Sequence, residues 1–104
     1  MLVKDLHIDR SRLGGICRRY GVERLEIFGS FVTGEAGSDS DLDILVTFEP
    51  DAHIGLEMVA LQQDLESFFG RSVDLLTRSS VEHSPNKYFR RFAMSRTEPV
   101  YERN

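Results

Sequence analysis

Leu25-Glu26-Ile27-Phe28-Gly29-Ser30 and, ten residues further on, Asp41-Leu42-Asp43-Ile44-Leu45-Val46-Thr47-Phe48 form the stretch on which the fold turns. The first run reads as a short strand that ends in a Gly-Ser turn. The second reads as a strand that becomes apolar on both faces toward its end, the pattern of a central strand. Between them Gly34, Gly37, Ser38 and Ser40 mark a turn-rich connection.

Working outward, Leu13, Ile16, Cys17 and Tyr20 recur at one-face helical spacing, with Asp9 as N-cap and Gly21 as stop. After the break at Pro50-Asp51, Ile54, Met58, Leu61, Leu65 and Phe68 carry the strongest helical period in the chain, closed by Gly70 as C′ residue. Ser72 to Thr77 is a third strand. Ser84-Pro85 looks like an N-cap followed by a first-turn proline, so a helix from Asn86 to about Met94 is predicted to bury Phe89 and Phe92. Pro99-Val100-Tyr101 fits a short edge strand, where proline is tolerated. Helices and strands alternate, so the class is α/β or α+β, a small mixed sheet flanked by helices. Residues 1–104 read as one domain, without repeat or linker.

Composition narrows the function. With 13 Lys+Arg against 17 Asp+Glu, the net charge of −4 disfavours a protein that coats long nucleic acid. The lone Cys17 excludes an internal disulfide and a thiolate zinc cluster. There is no apolar run of roughly 18 residues and no signal-peptide layout at the start, so the expectation is a cytoplasmic protein with no membrane contact.

The chemistry lies in Asp41, Asp43 and Asp74. Residues i and i+2 of a strand share a face, so Asp41 and Asp43 stand side by side, and Asp74, between apolar residues of the third strand, reads as a buried carboxylate that projects from the sheet. Carboxylates that converge repel one another and are costly to desolvate. Magnesium ions would remove that conflict and take substrate phosphates as further ligands. Gly29-Ser30 offers the complement: close backbone approach, amide donors opening a helix and a hydroxyl for phosphate oxygens. The plainer alternative is a solvated Asp-x-Asp beside an ordinary Gly-Ser turn. The joint occurrence with Asp74 weighs against it.

Read in full, Gly29-Ser30-x10-Asp41-x-Asp43 resembles the signature of the polymerase-beta-type nucleotidyltransferase superfamily, and within it the minimal nucleotidyltransferase branch. The resemblance also takes in Arg19-Tyr20-Gly21-Val22, Val73-Asp74-Leu75-Leu76 and Val100-Tyr101-Glu102. It implies the polymerase-beta-like fold, with Asp41, Asp43 and Asp74 as a catalytic triad holding Mg²⁺ (two ions) and Gly29 and Ser30 holding the triphosphate. It implies AMP transfer from ATP to a protein hydroxyl, similar to a tyrosine on a HEPN toxin encoded next door, so that the chain acts as an antitoxin. Two other functions stay open: a non-catalytic antitoxin that works by occlusion, and the catalytic subunit of a small-molecule nucleotidyltransferase. Many relatives carry arginines in the Gly-Ser loop where this chain has Phe31 and Thr33. Little sequence is left to build an acceptor pocket or a base-reading lid, which implies dependence on a partner.

The remaining candidates read as structural. Lys87, Arg90, Arg91 and Arg96 make a solvated basic face. Tyr88, Phe89 and Phe92 read as core rather than as a stacking platform, and Cys17 as a buried small hydrophobe. His7, His53 and His83 lack metal-ligand spacing and read as surface residues.

Overall fold

The computed structural model describes residues 1–52 and 55–103. Its elements, in chain order, are a 3-10 turn Val3–Leu6, α1 (Arg10–Arg19), β1 (Val22–Phe28), α2 (Ser30–Thr33), β2 (Leu42–Phe48), α3 (Leu56–Phe69), β3 (Val73–Thr77), α4 (Arg78–Glu82), α5 (Lys87–Ser95) and β4 (Glu98–Glu102). The four strands form one mixed sheet in the order β3-β2-β1-β4. β1 runs antiparallel to both β2 and β4, whereas β2 and β3 are parallel and joined through α3. A parallel pair requires such a crossover because a tight turn can only reverse the chain.

Each strand divides its side chains between two layers. Leu25 and Ile27 of β1, Leu42, Ile44 and Val46 of β2, and Val73 and Leu75 of β3 face Leu13 and Cys17 of α1 and Leu61 and Leu65 of α3. On the opposite face Phe28 and Leu45 pack with Val81 of α4 and Ala93 of α5, and Leu76 and Met94 lean on that cluster. The first layer is the larger. The second covers only part of its face, and the uncovered end carries the aspartates.

The local signals act as anticipated at several ends. The Asp9 side chain accepts the Arg12 amide and starts α1, and Gly70, at φ 68°, closes α3. Within α3 Leu61 and Leu65 are buried, while Ile54 lies outside the described residues. The predicted edge strand is β4, bonded to β1 alone. One helix, α4, is an addition too short to show a period in sequence, and the helix opened at Gly29-Ser30 is the single turn α2.

Three expectations are corrected. The cap of α5 is Asn86, whose side chain accepts the Tyr88 and Phe89 amides, and Pro85 stays outside the helix. The Asn86 side chain reaches two free helix amides, whereas the Ser84 hydroxyl accepts only from the Asn86 amide before the helix begins. Phe89 and Phe92 are 37% and 55% exposed, and Tyr88 is 72% exposed. They are therefore not core, because only Ala93 of α5 reaches the sheet fully. Asp74 is exposed rather than buried, since β3 is an edge strand and its start is left uncovered. Cys17 is buried as expected, and burial pushes its thiol up to about 12, which leaves it unreactive.

Candidate active site at the uncovered end of the sheet

The site forms where β1 ends and β2 and β3 begin. In the parallel ladder Asp43 is the direct partner of Asp74, and in the antiparallel ladder Asp43 is the partner of Phe28. Neighbouring strands lie about 4.8 Å apart, so both carboxylates stand next to each other on the face opposite the larger core layer. Leu42 and Ile44, on either side of Asp43, are fully buried in that larger layer, which fixes the register and hence the direction of Asp43. Asp41 lies just before β2 and is exposed.

Directly after Phe28 the chain turns at Gly29, which has φ 76° and ψ −142°. Side chains rarely adopt that conformation. A second reason excludes a side chain here: a Cβ on Gly29 would stand 2.4 Å from Oδ2 of Asp43. The backbone of the Gly-Ser turn and the Asp43 carboxylate are thus in contact, and glycine is the residue that permits it. Ser30 opens α2, whose first amides have no partner inside the helix. The Gly29 carbonyl accepts from Val32 and Thr33, and Gly34 closes this single turn with its amide on the Ser30 carbonyl.

Phe31, the departure from the arginine-bearing loop, is fully buried in the larger core layer. Its ring anchors the turn rather than facing a phosphate. The Arg71 guanidinium lies 4.9 Å from that ring and donates to the Ser40 carbonyl at 3.2 Å, so one side chain pins the loop that delivers Asp41. Sequence reasoning passed over Arg71, because a loop arginine gives no sign of the ring it will cover. Thr33 is exposed, with its hydroxyl on the Ser30 carbonyl at 3.4 Å.

Electrostatics single out Asp43. Burial first, then the charges of Asp74 and Asp41, raise its carboxyl from 3.8 to about 6. No Lys or Arg pairs with Asp41, Asp43 or Asp74 among the described residues. Nor, among those residues, is there a group of three or more His, Cys, Asp or Glu close enough to hold a metal by itself. Adjacent, mutually repelling hard oxygen donors suit Mg²⁺, which binds through one or two carboxylates and completes its shell with water and phosphate oxygens. The donor set therefore fits that ion without forming a closed protein cage.

The same sheet face hides a further acidic residue that sequence reasoning missed. Glu26 of β1 is 1% exposed. Its Oε1 accepts from Arg78 at 2.6 Å and its Oε2 from the Thr97 hydroxyl at 2.6 Å, with Arg24 at 3.6 Å. It ties β1 to the start of α4 and to the link between α5 and β4. A cleft of about 700 Å³ lies near that link, walled by Val32, Met94, Arg96 and Thr97 among others, and none of the three aspartates lines it.

Comparisons with known proteins bear on this geometry. The family described as nucleotidyltransferase domain matches residues 11–100. The protein adenylyltransferase MntA of Thermococcus cleftensis is 45% identical over 64 residues, which cover 62% of this chain and 64% of that one. The matched stretch is thus under two thirds of that relative's length. A solved structure of a candidate minimal nucleotidyltransferase superimposes with a TM-score of 0.71 at 32% identity, covering 95% of this chain and 96% of that one. The fold is shared, at 19% identity and a TM-score of 0.55, with a chain from the complex of a tri-AMPylated Shewanella oneidensis HEPN toxin with its MNT antitoxin, covering 90% of this chain and 70% of that one. Among the described residues no helix is long and apolar enough to cross a membrane.

Proposed function

Starting from a chain that belongs to the nucleotidyltransferase domain family, we propose that it transfers AMP from ATP to a tyrosine hydroxyl of a HEPN toxin and so acts as the antitoxin. The observation that carries this reading is the pairing of Asp43 with Asp74 beside the positive-φ Gly29. Carboxylates for a metal and a backbone turn for phosphate meet at one end of one sheet. The MNT–HEPN complex with the same fold supports the choice of partner and of AMP as the transferred group.

In this reading Asp41 and Asp43 would hold Mg²⁺, with Asp74 beside them as a further oxygen donor, and the metal when bound would supply charge neutralisation for the triphosphate and the departing pyrophosphate. The amides and hydroxyl at Gly29-Ser30 hold phosphate oxygens and set the α-phosphorus in line with the acceptor. Asp74, exposed at the edge, is open to an approaching hydroxyl and takes its proton. The acceptor oxygen forms a bond to the α-phosphorus, the bond from that phosphorus to the bridging oxygen breaks, and pyrophosphate leaves. No covalent intermediate with the protein is needed. The setting is the cytoplasm, where ATP is available and the free Cys17 stays reduced.

The test is transfer of label from α-labelled ATP, with Mg²⁺, to the cognate HEPN toxin. Wild type should label a toxin tyrosine, and Asp41→Asn and Asp43→Asn should not. Absence of label with wild type, while those variants still neutralise the toxin, would replace transfer by occlusion.

A further inference from the structure

The outer face of α5 is aromatic and basic, although the protein is acidic as a whole. Tyr88 and Phe92, one helical turn apart, are 72% and 55% exposed. The helix Lys87–Ser95 carries Lys87, Arg90 and Arg91 and contains no acidic residue, and Arg96 follows as its C-cap. Arg90 is engaged at the Ser84 carbonyl, and the Lys87 ammonium sits over the Tyr88 ring at 5.5 Å. Lys87, Arg91 and Arg96 are exposed and have no carboxylate partner among the described residues.

This face adjoins the reaction centre. The Phe92 ring meets Phe28 edge-on, with centroids 6.4 Å apart, and Phe28 is the ladder partner of Asp43. The Phe92 end of this face therefore adjoins the strand end that pairs with Asp43. Aromatic side chains flanked by arginine are the residue types that dominate binding energy at protein interfaces, and unpaired cations choose an acidic partner.

We infer that the Tyr88–Phe92 face of α5, with Lys87, Arg91 and Arg96 around it, is the docking surface for the acceptor protein, which meets it with an apolar patch rimmed by Asp and Glu. This inference rests on the proposed AMP transfer for the identity of the acceptor, but the surface is testable by binding alone. The rim cations steer the partner, and the two rings fix where its hydroxyl arrives.

The experiment titrates purified cognate HEPN toxin calorimetrically into wild type and into Tyr88→Ser, Phe92→Ser and Arg91→Glu, with a fluorescent ATP analogue and Mg²⁺ titrated in parallel. Tyr88 and Arg91 are exposed, so their replacement leaves the fold intact, and a thermal midpoint controls for Phe92→Ser. Each ring variant should bind toxin about tenfold more weakly or worse, with affinity for the ATP analogue unchanged. Arg91→Glu should slow association and flatten its dependence on salt. Toxin affinity equal to wild type in the variants overturns the inference, even where wild type transfers AMP. A loss of ATP-analogue affinity or of self-association in place of toxin affinity overturns it too. Toxin that binds through this face without being labelled upholds the docking surface and refutes the transfer.

Discussion

Replacing Asp43 by Asn should stabilise the metal-free protein while abolishing its activity. Asp43 ionises in the unfolded chain near 3.9. In the fold, burial and the neighbouring Asp74 and Asp41 raise it to about 6. An acid whose pKa is raised by folding favours the folded state only when protonated. At pH 7.5 it is ionised in both states and the fold carries the whole penalty, which fades as pH falls through about 6 and is gone below about 4. The full rise corresponds to a ceiling of about 3 kcal/mol. Asp43 is only half-buried, so water screens much of this, and about 1 kcal/mol is the figure to expect. For a domain of this size that is a gain of about 4–8 °C in Tm. Asn keeps the shape against Gly29, so packing is preserved. Calorimetric melting in EDTA at pH 7.5 and at pH 4 measures it. Asp43→Asn should melt higher at pH 7.5 and level with wild type at pH 4, and Mg²⁺ with ATP should then raise wild type alone. A variant that melts lower at pH 7.5, or whose gain is the same at both pH values, would refute the reasoning.

Further outcomes follow from contacts elsewhere. Gly29→Ala sets a Cβ against Asp43 Oδ2 in a backbone conformation that alanine resists, and should cost about 2 kcal/mol in chemical denaturation and abolish the proposed AMP transfer. Arg78→Met should be worse for stability, by about 3 kcal/mol, than Glu26→Gln. It takes the nearest cation from the 1% exposed Glu26 carboxylate and leaves it the Thr97 hydroxyl and the more distant Arg24, whereas the second change leaves Arg78 and Arg24, which both reach solvent. Comparing urea midpoints of the two variants decides it.

How much of this was legible in the sequence depends on the range of the interactions. The Asp-x-Asp strand and the Gly-Ser turn are local: alternation fixes which way Asp43 points, and Gly29 and the strand that ends in Phe28 announce the turn. Phe89 and Phe92 were misread because helical spacing shows which residues share a face, not whether anything packs on it. Glu26 was invisible for the complementary reason. Between Leu25 and Ile27 it reads as the outward residue of a half-buried strand, and only Arg78 and Thr97, remote in sequence, reveal that this face is covered. Asp74 was placed correctly in its strand but given too much burial, since edge position is a property of the whole sheet.

The antiparallel pairing of β1 with β4 sets an order of events during synthesis. β1 finds β2 soon after both leave the ribosome, but its other edge stays open until Glu98–Glu102 arrives and pairs with it. The closing bonds, Arg10 Nη1 to the Val100 carbonyl and the Arg103 amide to the Glu23 carbonyl, are formed at that same late moment. A nascent chain therefore shows an unpaired strand edge beside a nearly finished site, the form most open to mispairing with its neighbours. Slow passage of the ribosome through residues 50–97 would lengthen that exposure.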